Sequence, residues 1–89
     1  MKDGMVLRQL INKAIEKGLM LQIDYVNNKR ERSLRIISKI SISPKYSEGY
    51  ITAYCHIRKE ERTFRISNIV DADIFDLTKP IFNLYGDIY

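Results

Sequence analysis

The order of patterns in this sequence predicts a mainly β domain, in which one N-terminal α-helix precedes a small five-stranded β-barrel. Near the N-terminus, apolar residues recur at spacings of three and four, whereas five later segments alternate apolar and polar residues. The chain has 89 residues, which is enough for a single small core. Closure of the strands into a barrel is favoured because it removes exposed sheet edges.

The composition indicates a packed globular domain. Hydrophobic residues make up 45% of the chain, which has only two prolines and four glycines. The single cysteine, Cys55, excludes an internal disulfide and is typical of a reducing compartment. No apolar run approaches the roughly 18 residues of a membrane span, and the N-terminus lacks the apolar stretch of a signal peptide. We therefore expect a cytoplasmic protein.

The formal charge of +4 is unevenly distributed. After residue 70 the only basic residue is Lys79, which stands among several aspartates. A basic body with an acidic end favours polyanionic partners such as nucleic acid, although solvated lysine-rich surfaces give the same balance.

Residues 5–17 are predicted to form the helix, with Met5 and Ile15 among the apolar residues of one face. Asp3 is expected to cap its start and Gly18 to end it, while Lys17 complements the negative end of the helix dipole. The polar face shows no group of residues that chemistry would require. This helix is interpreted as a plug for one end of the sheet.

Two strands follow the helix. In the first, over residues 19–26, Leu21, Ile23 and Tyr25 share a face, and the Asn27-Asn28 pair marks a turn. In the second, the face predicted to be apolar comprises Leu34, Ile36, Ile40 and Ile42, with Arg35 and Lys39 opposite. Pro44 is expected to end the regular pairing.

Residues 49–66 predict a β-hairpin that carries the main chemical signal. In residues 51–57 the odd positions are apolar and the even positions are polar. Pairing Ile57 with Arg62 across a turn at residues 58–61 matches Cys55 with Phe64 and Tyr54 with Arg65. This register keeps apolar residues opposite one another. It predicts a polar face on which Tyr54, His56, Arg58 and Arg65 lie within reach of one another.

The rest of the chain gives a fifth strand around residues 70–75 and then an apolar segment. We expect one domain over residues 1–76 and a C-terminal tail over residues 77–89. Leu77, Phe82 and Leu84 give this tail more apolar surface than a free tail normally exposes. It is expected to pack back on the domain or to dock on a second copy.

The hairpin resembles the core of WYL domains. Tyr50 and Ile51 occupy the tripeptide that names the family, and Gly49 stands where those domains have tryptophan. Residues 53–56 match the family's Ala-Tyr-Cys-His run, and residues 62–65 match its Arg-x-Phe-Arg step, after which Asn68 replaces a frequent arginine. Ser33 and Arg35 match an upstream Ser-x-Arg step. The resemblance covers residues from about 12 to 74.

This resemblance implies an SH3-like or Sm-like barrel with a basic pocket for nucleic acid fragments, single strands or nucleotide-like signals. From the residues alone, arginines suit phosphate contacts and aromatic rings suit base stacking. The predicted ligand-binding residues are Arg35, Tyr54, His56, Arg58, Arg65, Ser33, Tyr50 and Arg62. We expect a non-catalytic sensing module linked to bacterial transcription regulation or phage defence, with single-stranded nucleic acid or a nucleotide as partner. The alternative is a protein-interaction or dimerisation subunit of a larger effector that does not bind nucleic acid itself.

Catalytic, metal and cofactor sites are not expected. His56 is the only histidine, and a lone histidine is seldom a metal ligand without suitably spaced partners. Cys55 and His56 are adjacent on a strand and point to opposite faces, which disfavours a Cys-His catalytic pair. The sequence suggests no other pairing of a nucleophile with a base. Asp71, Asp73 and Asp76 are interpreted as solubilising an exposed strand.

Overall fold

The computed structural model describes residues 4–43 and 49–76. Helix α1 (Gly4–Lys17) precedes strands β1 (Leu21–Val26), β2 (Arg32–Ile42), β3 (Tyr50–Cys55), β4 (Glu60–Arg65) and β5 (Ile69–Ile74), and a short 3₁₀ turn (Ile66–Asn68) joins β4 to β5. The strands form one sheet in the order β4-β3-β2-β1-β5. Every pair of neighbours is antiparallel. The predicted mainly β fold with one N-terminal helix is therefore confirmed.

Helix α1 ends as the sequence predicts. Gly18 has φ 66°, a left-handed conformation that glycine adopts without steric cost. The backbone N–H of Leu19 donates to the carbonyl of Ala14 at 3.0 Å, which is the long-range bond of a Schellman C-cap. The proposed cap Asp3 lies outside the described residues. This well-defined end directs the chain straight into β1.

The core lies between α1 and one face of the sheet. Leu7, Ile11 and Ala14 are the buried residues of the helix. They pack in one cluster with buried sheet residues that include Leu21, Ile23, Ile37, Ile51, Cys55 and Phe64. Within the described part of the chain, no helix is long and apolar enough to cross a membrane.

The sheet is strongly curled. Strands β4 and β5 are its two edges, yet only three residues connect them. In a flat sheet those edges would lie about 19 Å apart, given about 4.8 Å between strands. The connection between Arg65 and Ile69 spans at most about 14 Å. The edges must therefore approach each other at this end, although the hydrogen-bonded ladder described here runs only from β4 to β5 and does not establish a closed barrel.

Strand β2 switches faces part of the way along its length. Its register with β3 shifts between Ser38 and Ser41, and Lys39 has φ 51°. Because of this bulge, Ile37 and Ile40 are both buried despite their spacing of three. The predicted apolar face was therefore wrong in part: Ile40 is in the core, whereas Ile36 is half-buried and Ile42 is 40% exposed.

A second irregularity affects β5. Its register with β1 shifts between Asp24 and Tyr25, so that Tyr25 lies opposite Ile69 and Asp24 lies opposite Asp71. As a result Ile69 and Ala72 are the buried residues of this strand, while Ile74 is 44% exposed. The fifth strand is present as predicted, but the alternation extends over only part of it.

The β3–β4 hairpin has a different register from the predicted one. Ile51 pairs with Phe64, Tyr50 pairs with Arg65 and Tyr54 pairs with Glu61. The turn comprises residues 56–59, in which Lys59 has φ 58° and donates its N–H to the carbonyl of Cys55 at 2.7 Å. The predicted pairing of Tyr54 with Arg65 was wrong. The assignment of residues to faces survives, because both registers pair odd with even positions.

One buried charge was not predicted. Asp24 on β1 is only 1% exposed, and Arg32 on β2 forms a salt bridge with it through two guanidinium nitrogens. Asp24 faces away from the core, since it alternates with the buried residue Ile23. An ion pair with one buried member is costly to break, because the remaining charge loses its partner in a poorly solvated site.

Candidate ligand-binding groove

A groove of about 360 Å³ opens at the end of the hairpin where β3 begins and β4 ends. Its lining comprises Tyr25, Asn28, Tyr50, Thr63, Arg65 and Asn68. Tyr50 and Arg65 are directly opposite each other in the antiparallel ladder. The side chains of such a pair start about 5 Å apart at their Cβ atoms. Two predicted ligand-binding residues, an aromatic ring and a guanidinium, are therefore brought together.

The β1–β2 turn places Asn28 at this groove. The side-chain carbonyl of Asn27 accepts the backbone N–H groups of Lys29 at 2.8 Å and Glu31 at 3.0 Å. Arg30 adopts φ 63°, and its N–H donates to the backbone carbonyl of Asn27 at 3.0 Å. These bonds form an Asx-type turn that fixes the loop locally. The Asn27-Asn28 signal in the sequence thus predicts the turn but not its place beside the groove.

Tyr25 connects the groove to the core across the curled sheet. Its ring packs edge-on against Phe64, with 5.0 Å between ring centroids and 80° between ring planes. Its hydroxyl accepts the backbone N–H of Arg65 at 3.0 Å. Strand β1 is thereby joined to β4, although three places separate the two strands in the ladder. Tyr25 is on the apolar face that the alternation predicts, and its polar end holds the backbone beneath Arg65.

A second group of polar side chains lies at the opposite, turn end of the hairpin; we call it the turn cluster (Ser38, Tyr54 and His56). The ring centroids of Tyr54 and His56 are 4.8 Å apart at an interplanar angle of 83°. The Oγ of Ser38 is 2.8 Å from Nε2 of His56. The backbone N–H of His56 also donates to Ile36 at 2.8 Å. The sequence placed His56 on a strand beside Tyr54, but it occupies the turn.

The Ser38–His56 contact is a pairing of a hydroxyl with an imidazole that the sequence did not indicate. It arises because Ser38 of β2 lies directly opposite Tyr54 of β3, which is two residues before His56. The described contacts of the imidazole are a hydroxyl and an aromatic ring, and the hydrogen bond is exposed. In a Ser-His-carboxylate triad a third group orients the base. These described contacts give the imidazole no such carboxylate partner.

The remaining predicted ligand-binding residues lie elsewhere. Arg35 is opposite Ile23 and so shares the inner face of the sheet, where Nε donates to the Oγ of Ser33 at 3.1 Å and Nη1 is 3.9 Å from Sγ of Cys55. Arg62 also lies on the inner side, opposite Ala53, and is 3.4 Å from Glu60. Arg58 is exposed in the turn. The single crowded polar face predicted from the sequence is thus divided into separate groups.

Of the two positions that depart from the WYL pattern, one lines this groove and the other is next in sequence to a lining residue. Asn68 lines it, which places a neutral amide where the family often has arginine. Gly49 directly precedes Tyr50, and a Cβ atom built on Gly49 would meet no atom within 4 Å. The sequence missed Thr63 and Asn28 as lining residues, because their contribution depends on the curl of the sheet. Within residues 4–43 and 49–76, no cluster of three or more His, Cys, Asp or Glu side chains is arranged to hold a metal ion.

Comparisons with known proteins agree with this architecture. A family model described as the WYL domain matches residues 7–74. Among solved structures, the chain is similar to proteasome accessory factor B/C (PafBC) of Arthrobacter aurescens, with a TM-score of 0.65 and 24% sequence identity. The match covers 80% of this chain and 11% of PafBC, so this chain corresponds to a small part of that protein. A search of curated proteins found no match.

Proposed function

This chain belongs to the WYL domain family, and we propose that it is a non-catalytic sensing module that binds single-stranded nucleic acid or a nucleotide-like ligand in the Tyr50–Arg65 groove. The two ligands share one chemistry, a flat base joined to a phosphate. A regulatory sensing role is supported by the family assignment.

The observation that carries the proposal is the direct pairing of Tyr50 with Arg65 in the groove. A tyrosine ring offers a face on which any base stacks, worth about 1–3 kcal/mol per base. A guanidinium beside it suits the phosphate of the same nucleotide, because it donates two parallel hydrogen bonds to phosphate oxygens. Asn28 and Asn68 add amide groups that donate to and accept from base edges. The groove volume of about 360 Å³ falls at the lower end of the range of small-ligand sites.

The strand geometry supports this groove over the turn cluster as the primary site. Tyr54 is four residues beyond Tyr50 on β3, so the two rings are separated by about 13 Å along the strand. Tyr54 lies opposite Glu61, whose negative charge disfavours a nearby phosphate. Tyr50 lies opposite a cation instead.

The family assignment supports a regulatory role, and the setting of that role is part of our proposal. We place the module in the bacterial cytoplasm, where it would transmit ligand binding to a larger effector in transcription regulation or phage defence. The curled five-stranded sheet supports an SH3-like or Sm-like barrel as the complete architecture, since the short 3₁₀ connection requires the two edges to approach each other at one end.

The test compares two arginines on one strand. Fluorescence anisotropy of a labelled single-stranded oligonucleotide of roughly 12 nucleotides measures Kd for the full chain, for Arg65→Ala and for Arg62→Ala. Each substitution removes one positive charge from β4, but Arg62 is on the inner side and is near Glu60. A charged hydrogen bond contributes about 1.5–3 kcal/mol, so R65A is expected to weaken binding about 10- to 150-fold. R62A should change Kd less than about threefold.

Competition with a mononucleotide separates the two ligand types. A mononucleotide that displaces the oligonucleotide at similar concentrations assigns the groove to nucleotide-like ligands, whereas inefficient displacement assigns it to a strand. Raising the salt concentration should weaken oligonucleotide binding, with a slope of log K against log salt that falls by about 0.7 in R65A. Equal losses of affinity in R65A and R62A would show that only overall charge matters and would refute the groove as the site.

A further inference from the structure

A second groove, of about 420 Å³, lies between the start of α1 and the start of β5. Its lining is mainly apolar and comprises Gly4, Leu7, Arg8, Ile66, Ser67, Ile69 and Val70. None of these residues lines the Tyr50–Arg65 groove. We call it the helix groove. Met5, the next residue after Gly4, is 73% exposed, so apolar surface continues beyond the rim.

We infer that the helix groove binds the C-terminal tail of the same chain, through residues 82–89. These residues include Phe82, Leu84, Tyr85, Ile88 and Tyr89. Contiguous apolar surface on a small domain is normally covered. A segment attached to the same chain is available at a high effective concentration, which favours it over a free partner of equal affinity.

The path of the chain brings this segment within reach. Strand β5 starts at the helix groove and ends at Ile74, and the N–H of Phe75 donates to the carbonyl of Met20 at 2.9 Å, beyond the far end of α1. Asp76 is six residues from Val70, which corresponds to about 20 Å along a strand. An extended chain covers about 3.4 Å per residue, so residue 82 is the first that can return to the level of Val70.

Charge also matches between the groove and this segment. Arg8 is the charged residue of the groove lining, and Asp87 is the charged side chain of residues 82–89. Lys79 lies outside that segment, nearer to β5. An apolar sequence with one carboxylate therefore meets an apolar groove with one guanidinium, and the pair would orient the segment as it docks.

Photo-crosslinking in the full chain tests this contact directly. Benzoylphenylalanine is introduced in place of Ser67, which is exposed and lines the helix groove, or as a control in place of Ile57, which is 49% exposed in the hairpin turn. Mass spectrometry is expected to locate crosslinks from position 67 in residues 82–89, and at least tenfold fewer from position 57. Similar yields at both positions would overturn the inference.

Isotope mixing identifies which chain supplies the tail. Equal amounts of ¹⁴N- and ¹⁵N-labelled protein are combined before irradiation. Crosslinks within a single label confirm docking in the same chain, whereas mixed masses would assign the tail to a second copy and overturn it. A second experiment leaves the groove residues unchanged. NMR spectra of the full chain are compared with those of L84D, which places a charge in the docking segment. We expect L84D to shift the amide resonances of Leu7, Ile69 and Val70. T78D adds the same charge outside the docking segment and should leave those resonances unchanged; equal shifts in both variants would contradict the docking.

Discussion

The two ends of the β3–β4 hairpin carry similar residues but differ in what surrounds them. At the groove end, Tyr50 lies opposite Arg65, and Asn28, Tyr25 and Asn68 approach from other parts of the chain. At the turn end, Tyr54 and His56 pack on each other, and Ser38 bonds to the imidazole. The first arrangement forms the groove between strands and loops. The curl of the sheet, rather than the residue types on the hairpin, therefore creates the candidate site.

The largest difference between the two ends should appear in stability. Phe64 is 2% exposed beneath the groove and packs against Tyr25, so F64A should destabilise the fold by about 3–5 kcal/mol. At the turn end Ile57 is 49% exposed, and I57A should change the free energy of unfolding by less than about 0.5 kcal/mol. Urea denaturation monitored by circular dichroism measures both. Comparable losses of stability in F64A and I57A would show that the turn end is packed as tightly as the groove end, and the proposed difference between the two ends would be wrong.

Binding should separate the two tyrosines of β3. They lie on the same strand and face, which makes Y54A a matched control for Y50A. Loss of a stacking partner costs about 1–3 kcal/mol, so Y50A is expected to raise Kd for the oligonucleotide about 5- to 150-fold. Y54A should leave Kd within about threefold of wild type. If Y54A weakens binding as much as Y50A, the ligand extends along the whole face and the two ends form one site.

The sequence predicted which face of the sheet each hairpin residue occupies better than it predicted which residues pair across the two strands. Alternation in the hairpin determines which residues point inward, and any pairing of odd with even positions satisfies it. Both the predicted register and the observed one do so, although the partner of each residue differs by four positions between them. The observed turn depends on Lys59 at φ 58°, where the sequence has neither the glycine nor the asparagine that would mark such a conformation.

Only the groove residues that belong to the hairpin could be predicted from the sequence. Tyr50 and Arg65 are found from the alternation and from the WYL resemblance. Asn28 and Tyr25 reach the groove through the curl, which depends on the short β4–β5 connection and on the irregular pairing of β1 with β5. The bulge in β2 at Lys39 likewise places Ile40 on the same buried face as Ile37 without a glycine to signal it. Such long-range effects are not encoded in any one segment.

A smaller effect is expected from the hydroxyl of Tyr25, which joins β1 to β4 at the groove end. In Y25F the N–H of Arg65 loses its acceptor at 3.0 Å, while the ring contact with Phe64 is retained. We expect a loss of about 0.5–1.5 kcal/mol in the free energy of unfolding. Hydrogen exchange at the Arg65 amide should accelerate, whereas that at the Thr52 amide of β3 should not. An unchanged exchange rate at Arg65 would mean that this bond does not hold the end of β4.

The smallest effect concerns the Ser38–His56 hydrogen bond of the turn cluster. The bond is exposed, so water replaces either partner, and S38A should change the free energy of unfolding by less than about 0.5 kcal/mol. S41A, at an exposed position of the same strand, is the matched control and should behave alike. The pair also brings a hydroxyl nucleophile to a base, so hydrolysis of p-nitrophenyl acetate tests it chemically. Equal rates for wild type, S38A and S41A are expected, because the described contacts of the imidazole do not include an orienting carboxylate. A hydrolysis rate that falls only in S38A would show that the turn end is a reactive site. The assignment of function to the groove end alone would then be wrong.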